Sequence, residues 1–187
     1  QALLDLVKAF ETVQRWVLAE AAKLKGYPMA ILRLSLAAYR LQRTIGVDGV
    51  YSRTIVATRG ITAGSGFSTS ELRVLMLDLV IALQARWTRI IITSEVDDLT
   101  LSVTGLPQFV IMLAEAIDFA APVLEDAMLM QVSAKKSKVV ACEPSIVQAV
   151  VLATSSDRTS CTKIAKLLGT ELLAERVARQ LGFERDF

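Results

Sequence analysis

Hydrophobic and polar positions recur along the chain with two different periods, and each period predicts a type of element. Apolar residues at helical spacing predict helices at 12–25, 28–43, 69–87, 107–131 and 144–154. Shorter apolar runs predict strands at 1–5, 53–58, 136–142 and 161–169, and a hairpin at 89–103. Pro122 should kink or end its helix, since proline lacks the backbone donor, and residues 155–160 form the clearest linker.

The hairpin at 89–103 carries two adjacent carboxylates at its tip, Asp97 and Asp98. Neighbouring carboxylates repel each other, and a tight turn more often uses Asn-Gly or Asp-Gly. A bound Mg²⁺ would offset the repulsion, because this ion is held by one or two carboxylates together with substrate phosphates. A solvated turn without metal is the alternative interpretation.

A third carboxylate, Asp5, closes the short apolar segment 2–4 and precedes a helical pattern. It therefore lies at a strand-to-helix junction. Two metal ions about 3.5–4 Å apart need carboxylates that converge from separate strands. Asp5 and Asp97 would meet this requirement if their strands were neighbours in one sheet.

A loop of small residues at 59–70 opens the helical pattern of 69–87. Glycines let the backbone approach a ligand closely, and free N–H groups at a helix start favour anionic partners. The loop is not a P-loop, since no Gly-Lys-Ser/Thr follows. A simple linker is the alternative interpretation.

Taken in order, these pieces resemble the palm of a reverse transcriptase, the RNA-directed DNA polymerase of retroelements. Residues 4–13 are similar to its first palm motif. The resemblance implies that Asp5 binds metal and that Phe10 lies under the sugar of the incoming nucleotide, where it excludes a 2′-hydroxyl. Without the resemblance, Phe10 is predicted to be a core aromatic on one helix face with Val13 and Val17.

The acidic hairpin and the small-residue loop carry the next two motifs. Residues 95–98 resemble the family's Tyr-x-Asp-Asp hairpin, which makes Asp97 the second metal ligand and Asp98 its acidic neighbour. Residues 60–68 are similar to the loop that contacts template and nucleotide. The implied contacts are Gly60, Ala63, Gly64 and Ser65. The amino-acid sequence of this loop resembles retroelement copies of the kind abundant in dinoflagellate genomes more than it resembles retroviral or group II intron enzymes.

Two downstream segments extend the resemblance. Residues 128–140 are similar to the motif whose lysine lies near the nucleotide phosphates and acts as a general acid. Lys136 is the first candidate for that lysine and Lys135 the second. Residues 162–169 resemble the primer-grip strand, with Leu168 and Gly169 at the primer end.

Three positions depart from the family's pattern. Glu95 stands at the nucleotide-binding position where the family has Tyr, and in an extended strand it would point to the same side as Asp97. A further carboxylate there would repel the primer phosphate. Ala63 replaces a Gln, and Glu11 replaces the Asp that commonly follows the aromatic residue.

The resemblance implies an α+β fold, a polymerase palm with an antiparallel sheet and helices packed on one face. We expect residues 1–158 to form the palm, and 159–187 to form the primer-grip strand and the start of the thumb. The chain begins almost on the first motif, so we expect the fingers and most of the thumb to be missing. Two Mg²⁺ or Mn²⁺ ions, a dNTP, and an RNA or DNA template with its primer are the implied cofactors and partners.

Amino-acid composition excludes some kinds of catalytic and metal site and indicates the cellular compartment. The 187 residues include no histidine, which removes histidine-based triads and metal sites. Two cysteines without ligand spacing indicate a reduced, intracellular protein, nuclear or cytoplasmic. The net charge of +2 is mild for a nucleic-acid enzyme. Acidic residues interrupt the longest apolar segment, so we expect no membrane span.

Three functional interpretations remain open. The first is a reverse-transcriptase palm with intact metal ligands, which performs two-metal nucleotidyl transfer only when the full polypeptide supplies fingers and thumb. The second is a degenerate, non-catalytic retroelement remnant that acts at most as a nucleic-acid-binding or structural module, which Glu95 favours. The third is an unrelated Mg²⁺-dependent phosphotransferase or cyclase, against which the loop at 60–68 and Lys136 speak.

Overall fold

The protein has an α+β fold, in agreement with the predicted class. The computed structural model describes residues 1–96, 98–105 and 108–155, together with the backbone of three short strands within 160–173. The helices are α1 Ala9–Thr12, α2 Arg15–Leu24, α3 Met29–Tyr39, α4 Ser68–Arg86, α5 Phe109–Pro122 and α6 Pro144–Ala153. The strands are β1 Ala2–Asp5, β2 Gly46–Val47, β3 Val50–Tyr51, β4 Ile91–Glu95, β5 Asp98–Ser102, β6 Lys138–Val139, β7 Ser160–Cys161, β8 Ile164–Leu167 and β9 Thr170–Leu173.

A central sheet has the strand order β4-β5-β1-β6-β7. The pairings β4–β5, β5–β1 and β1–β6 are antiparallel, as predicted, whereas β7 lies parallel to β6. The prediction of a wholly antiparallel sheet is therefore wrong for its last strand. Helix α6 lies between β6 and β7 in the chain, and a helical crossover is what a parallel pairing requires.

The core lies between this sheet and the long helices. Alternate residues of β1 and β5, including Leu4, Leu99 and Leu101, are fully buried in one cluster with residues of α4 and α5. Buried positions of α4 recur every three or four residues, as in the pair Leu72 and Leu75. The periods that predicted these elements also define the faces that pack.

Two predicted helices end earlier than expected. α3 ends at Tyr39 rather than at 43, and α5 ends at Pro122, where a π-helical turn over Val123–Ala127 begins. The predicted interruption at Pro122 is confirmed. Proline has no N–H for the regular helical ladder, and a π-helical turn is one way to accommodate the lost bond.

The predicted strand at 53–58 is wrong. The nearest strands lie before it, in a small hairpin of β2 and β3 around Asp48 and Gly49, whose φ angles of 49° and 82° suit a two-residue turn. Of the residues at 53–58, only Ile55 makes a β-bridge, with Arg43. The Asp-Gly pair was the sequence signal for this turn.

Two short strands, β7 and β8, lie where one strand was predicted at 161–169. β8 pairs antiparallel with β9, and β7 joins the central sheet. The predicted boundary at 158/159 and the primer-grip residues Leu168 and Gly169 lie outside the described residues.

Candidate active site

Three carboxylates lie side by side on one face of the central sheet. Asp5 of β1 is directly opposite Asp98 of β5, and Asp98 is directly opposite Glu95 of β4. Directly opposed residues of antiparallel strands point to the same face, with Cβ atoms about 4.5–5.5 Å apart. We call Glu95, Asp98 and Asp5 the carboxylate row. The strands of Asp5 and of the acidic hairpin are thus neighbours, as the metal hypothesis required.

The carboxylate row supplies oxygen donors, which are the ligands that Mg²⁺ prefers. Within the described residues, no three acidic, histidine or cysteine side chains are close enough together to hold a metal ion. Asp97, the predicted second ligand, lies outside the described residues. Of the three predicted ligands, the structure therefore describes Asp5 and Asp98, which are directly opposite each other. The prediction for Asp97 stays untested.

Strand β4 does not continue to Asp97 as an extended strand. Its last residue is Glu95, and Val96 has a φ of 58°, which is unusual for a β-branched residue. The alternation that would place Glu95 on the side of Asp97 therefore stops at Glu95. The carboxylate that Glu95 faces is Asp98 instead, directly across the strand pair.

Lys136 reaches the carboxylate row from the segment that precedes β6. The Ser133 N–H donates to the Asp5 carbonyl at 2.8 Å, and the Asp5 N–H donates to Ser137 Oγ at 3.1 Å. These bonds hold the segment against the end of β1. Lys136 Nζ lies 3.7 Å from Asp5 Oδ1. Exposed Lys135 makes no ion pair with any described residue, so the geometry favours Lys136 of the two candidates.

The small-residue loop packs on the segment that carries Phe10. The Gly60 N–H donates to the Val13 carbonyl and the Ile61 N–H to the Phe10 carbonyl, both at 2.8 Å. Gly60 has a φ of 82°, and a Cβ there would lie 2.6 Å from the Glu11 carbonyl oxygen. Only glycine fits this position. The loop and the first motif are therefore in direct contact.

The exposed part of the loop is a turn that presents Ala63 and Gly64. The Ser65 N–H donates to the Thr62 carbonyl at 3.0 Å, and Gly64 has a φ of 83°. A positive φ at the third position is typical of a type II turn. Ser68, the first residue of α4, donates through its hydroxyl to the Ser65 carbonyl at 2.9 Å. The turn is thereby tied to the start of α4.

Arg15 is a buried residue that the sequence reasoning missed. Its guanidinium donates to the carbonyls of Gly60 and Ala57 at 2.8 Å, and to those of Tyr39 and Arg59 at 2.9 and 3.2 Å. Burial lowers the pKa of the Arg15 guanidinium below its ordinary value, and the neighbouring charges of Arg40 and Arg43 lower that pKa further. A charged residue inside an apolar helical pattern was the available signal.

A second buried polar group lies under the loop. Tyr39 Oη is 2.8 Å from Glu71 Oε2 and 3.3 Å from Ser65 Oγ, and Glu71 is fully buried in α4. Burial raises the pKa of the Tyr39 hydroxyl, and the neighbouring Glu71 raises it too. The sequence contained no pattern that joins Tyr39 to Glu71, because these residues meet only in the folded chain.

No protein-family model and no curated protein sequence matches this chain. The described helices include none that is long and apolar enough to cross a membrane. The case for a function therefore depends on the residues and their geometry.

Phe10 lies in α1, five residues after Asp5, and is partly buried against the core. The alternative interpretation placed it on one helix face with Val13 and Val17. That face does not exist, because α1 ends at Thr12 and Val17 belongs to α2. Phe10 still packs on the same core as both residues, so the nucleotide role of Phe10 stays a prediction.

Proposed function

We propose that this chain is the palm of an RNA-directed DNA polymerase, which transfers a deoxynucleotide from a dNTP to a primer 3′-hydroxyl on an RNA or DNA template. The observation that carries the proposal is the direct cross-strand pairing of Asp5 with Asp98, next to Asp97 in the chain. The antiparallel part of the sheet, with α4 and α5 packed in its core, supports a palm fold with helices on one face. Such an enzyme works in the nucleus or the cytoplasm.

Asp5, Asp97 and Asp98 would hold two Mg²⁺ or Mn²⁺ ions. Their oxygen donors fit these hard cations, and Asp5 and Asp98 are already adjacent across the strands. Bound metal supplies charge stabilisation and a lowered pKa at the primer hydroxyl. The protein's own contribution is to hold the carboxylates at fixed positions on a sheet whose core side is packed.

Lys136 would neutralise or protonate the leaving pyrophosphate. Its ammonium group lies 3.7 Å from Asp5 Oδ1, and the lysine side chain is 72% exposed. An exposed ion pair of this kind contributes little to stability, so Lys136 can exchange Asp5 for a phosphate at small cost. A cation at that position stabilises the charge that develops on a leaving phosphate.

The loop and Phe10 would position the template and the nucleotide. The exposed turn at Ala63 and Gly64 is attached through Gly60 to the backbone at Phe10 and Val13. Phe10 would lie under the sugar and leave no room for a 2′-hydroxyl. The enzyme would therefore prefer deoxynucleotides.

One observation favours a second function, that of a non-catalytic remnant that binds nucleic acid or has a structural role. Glu95 is directly opposite Asp98, so the row has an additional negative charge where the family has Tyr. Like charges directly opposite each other are unfavourable. Such a residue would also repel the primer phosphate.

Primer extension with Mg²⁺ separates the two functions. In a polypeptide that also supplies fingers and thumb, we expect extension by the unmodified palm, its loss in Asp5→Asn, and its retention in Asp126→Asn, which removes an exposed carboxylate of the π-helical turn. Extension only in Glu95→Tyr would support the remnant. Equal extension in the unmodified chain and Asp5→Asn, or no extension in any form, would contradict the catalytic proposal.

A further inference from the structure

Positive charge is concentrated in one projecting segment of the chain. Residues 40–59 contain four arginines and one acidic residue, whereas the remaining positions contain 17 basic and 18 acidic side chains. We call this segment the arginine arm. It includes the β2–β3 hairpin, and its four arginines are all exposed. They are Arg40, Arg43, Arg53 and Arg59.

The arm is fixed at its base beside a cleft of about 350 Å³. Arg43 and Ile55 exchange two backbone hydrogen bonds, at 2.9 and 2.8 Å, and Arg43 Nη2 donates to Thr62 Oγ1 at 2.9 Å. Arg43 and Arg59 line the cleft together with the buried guanidinium of Arg15. The cleft is thus an open depression that three arginine side chains line.

Few acidic groups balance these charges. Among the residues that line the cleft, Glu11 is the one carboxylate. No described residue forms an ion pair with any of the four arginines of the arm. The hydrogen bonds of Arg15 go to backbone carbonyls, which are dipoles without net charge. The site therefore has an excess of positive charge that an anion would balance.

We propose that the arginine arm and its cleft bind the phosphate backbone of a single-stranded polynucleotide. The choice of a polynucleotide rests on the proposed function, whereas the anionic character of the ligand rests on the arginines alone. Guanidinium groups match phosphate geometry with paired donors. The whole chain has a net charge of only +2, but this segment is locally basic, as a nucleic-acid-binding surface requires.

The number of charges and an exposed aromatic side chain in the arm fit a polynucleotide better than a single small anion. The arm's four arginines carry more positive charge than one phosphate needs. Tyr51 on β3 is 73% exposed. Single-stranded nucleic acids bind where a positive groove is combined with an aromatic side chain on which bases stack.

The test is fluorescence anisotropy with a labelled single-stranded oligonucleotide of about 20 nucleotides in EDTA, so that metal plays no part. We expect Arg43→Gln combined with Arg59→Gln to weaken binding at least tenfold. Loss of two phosphate contacts should also reduce the slope of log K against log salt by about 1.4. The matched control is Arg86→Gln with Arg89→Gln, the same charge change at the far end of α4, where we expect less than a twofold effect.

Other outcomes would overturn the proposal. Equal weakening in both double variants would mean that only net charge matters. Competition by inorganic pyrophosphate as strong as that by unlabelled oligonucleotide, at equal phosphate concentration, would indicate a small-anion site. Stronger competition by polyglutamate would indicate an acidic protein partner. Single Arg59→Gln, at an exposed position, provides a second readout should the double variant fail to fold.

The same assay separates this proposal from the catalytic one. Asp5→Asn removes a negative charge, so it should not weaken oligonucleotide binding in EDTA even though it abolishes primer extension. No extension in any form, with oligonucleotide binding intact in the unmodified chain and weakened in the Arg43/Arg59 double variant, would disprove catalysis alone. Intact binding in the Arg43/Arg59 double variant would disprove the arginine arm alone.

Discussion

The carboxylate row and the arginine arm carry opposite charges and owe their geometry to different forces. The row is placed by strand register on a sheet whose other residues, such as Leu4 and Leu99, are fully buried. The arm is a short ribbon whose apolar residues Val47 and Val50 are 65% and 75% exposed. Packing therefore fixes the row, whereas the arm depends on a few hydrogen bonds at its base. Substitutions should affect the two regions to different extents.

The largest effect should come from Arg15→Met, which removes the hydrogen bonds that join both ends of the arm to α2. Four backbone carbonyls lose their donors, and we expect the free energy of unfolding to fall by about 3 kcal/mol or more. Urea denaturation measures the loss. The control is Arg33→Met at an exposed position of α3. If both variants lose the same stability, the arm is not held by Arg15.

Alanine substitutions at Gly60 in the loop and at Gly49 in the arm compare how closely the two regions are packed. Gly60 and Gly49 have the same φ of 82°, but an added Cβ would lie 2.6 Å from the Glu11 carbonyl oxygen at Gly60, and would meet nothing within 4 Å at Gly49. Alanine in this conformation costs about 1–2 kcal/mol at either site. We expect Gly60→Ala to cost about 1 kcal/mol more than Gly49→Ala in the same denaturation assay, because its Cβ would overlap the carbonyl. Equal losses would contradict the close contact of the loop with the first motif.

Tyr39→Phe tests the polar group under the loop. It deprives Glu71 of its donor, so we expect a loss of about 1–2 kcal/mol at pH 7. The raised pKa of Tyr39 has a second consequence. Its contribution to stability is fully present below the unfolded pKa of about 10, and is lost as the pH rises through the folded value.

The pH dependence of stability therefore distinguishes Tyr39 from an exposed tyrosine. Thermal unfolding between pH 8 and 12 should show a weaker alkaline decline in Tyr39→Phe than in the unmodified chain. Tyr51→Phe, at a 73% exposed position of the arm, should leave that decline unchanged. Identical profiles for all three proteins would argue against the raised pKa.

The smallest effect should come from Glu95→Gln in the carboxylate row. Removing one of two directly opposed negative charges should stabilise the metal-free chain by about 0.5 kcal/mol. High salt should reduce the gain, because it screens exposed charges. Glu20→Gln, at an exposed position of α2, is the control and should change stability less. A loss of stability in Glu95→Gln would contradict the repulsion.

The sequence was most informative where the candidate site lies at strand ends. Asp5 follows an apolar run and Asp98 starts one, so their places at strand termini were predictable. Lys136 was also predicted, and it lies beside Asp5. Local patterns do not specify register, however. That Asp98 faces Asp5, and Glu95 faces Asp98, had to come from the structure.

The arm and its anchor could not be predicted in the same way. Helical periodicity carried the prediction of α3 through Arg43, whereas the turn at Asp48-Gly49 shapes that region into a hairpin. The role of Arg15 depends on carbonyls that are 24 to 45 residues distant in the chain. Such contacts arise from tertiary packing and leave no periodic signal.

Calorimetric titration of Mg²⁺ into the metal-free chain tests the central claim most directly. We predict saturable binding in the unmodified chain and in Asp126→Asn, and its loss in both Asp5→Asn and Asp98→Asn. Heats that are the same in all four proteins would contradict the assignment of Asp5 and Asp98 as metal ligands.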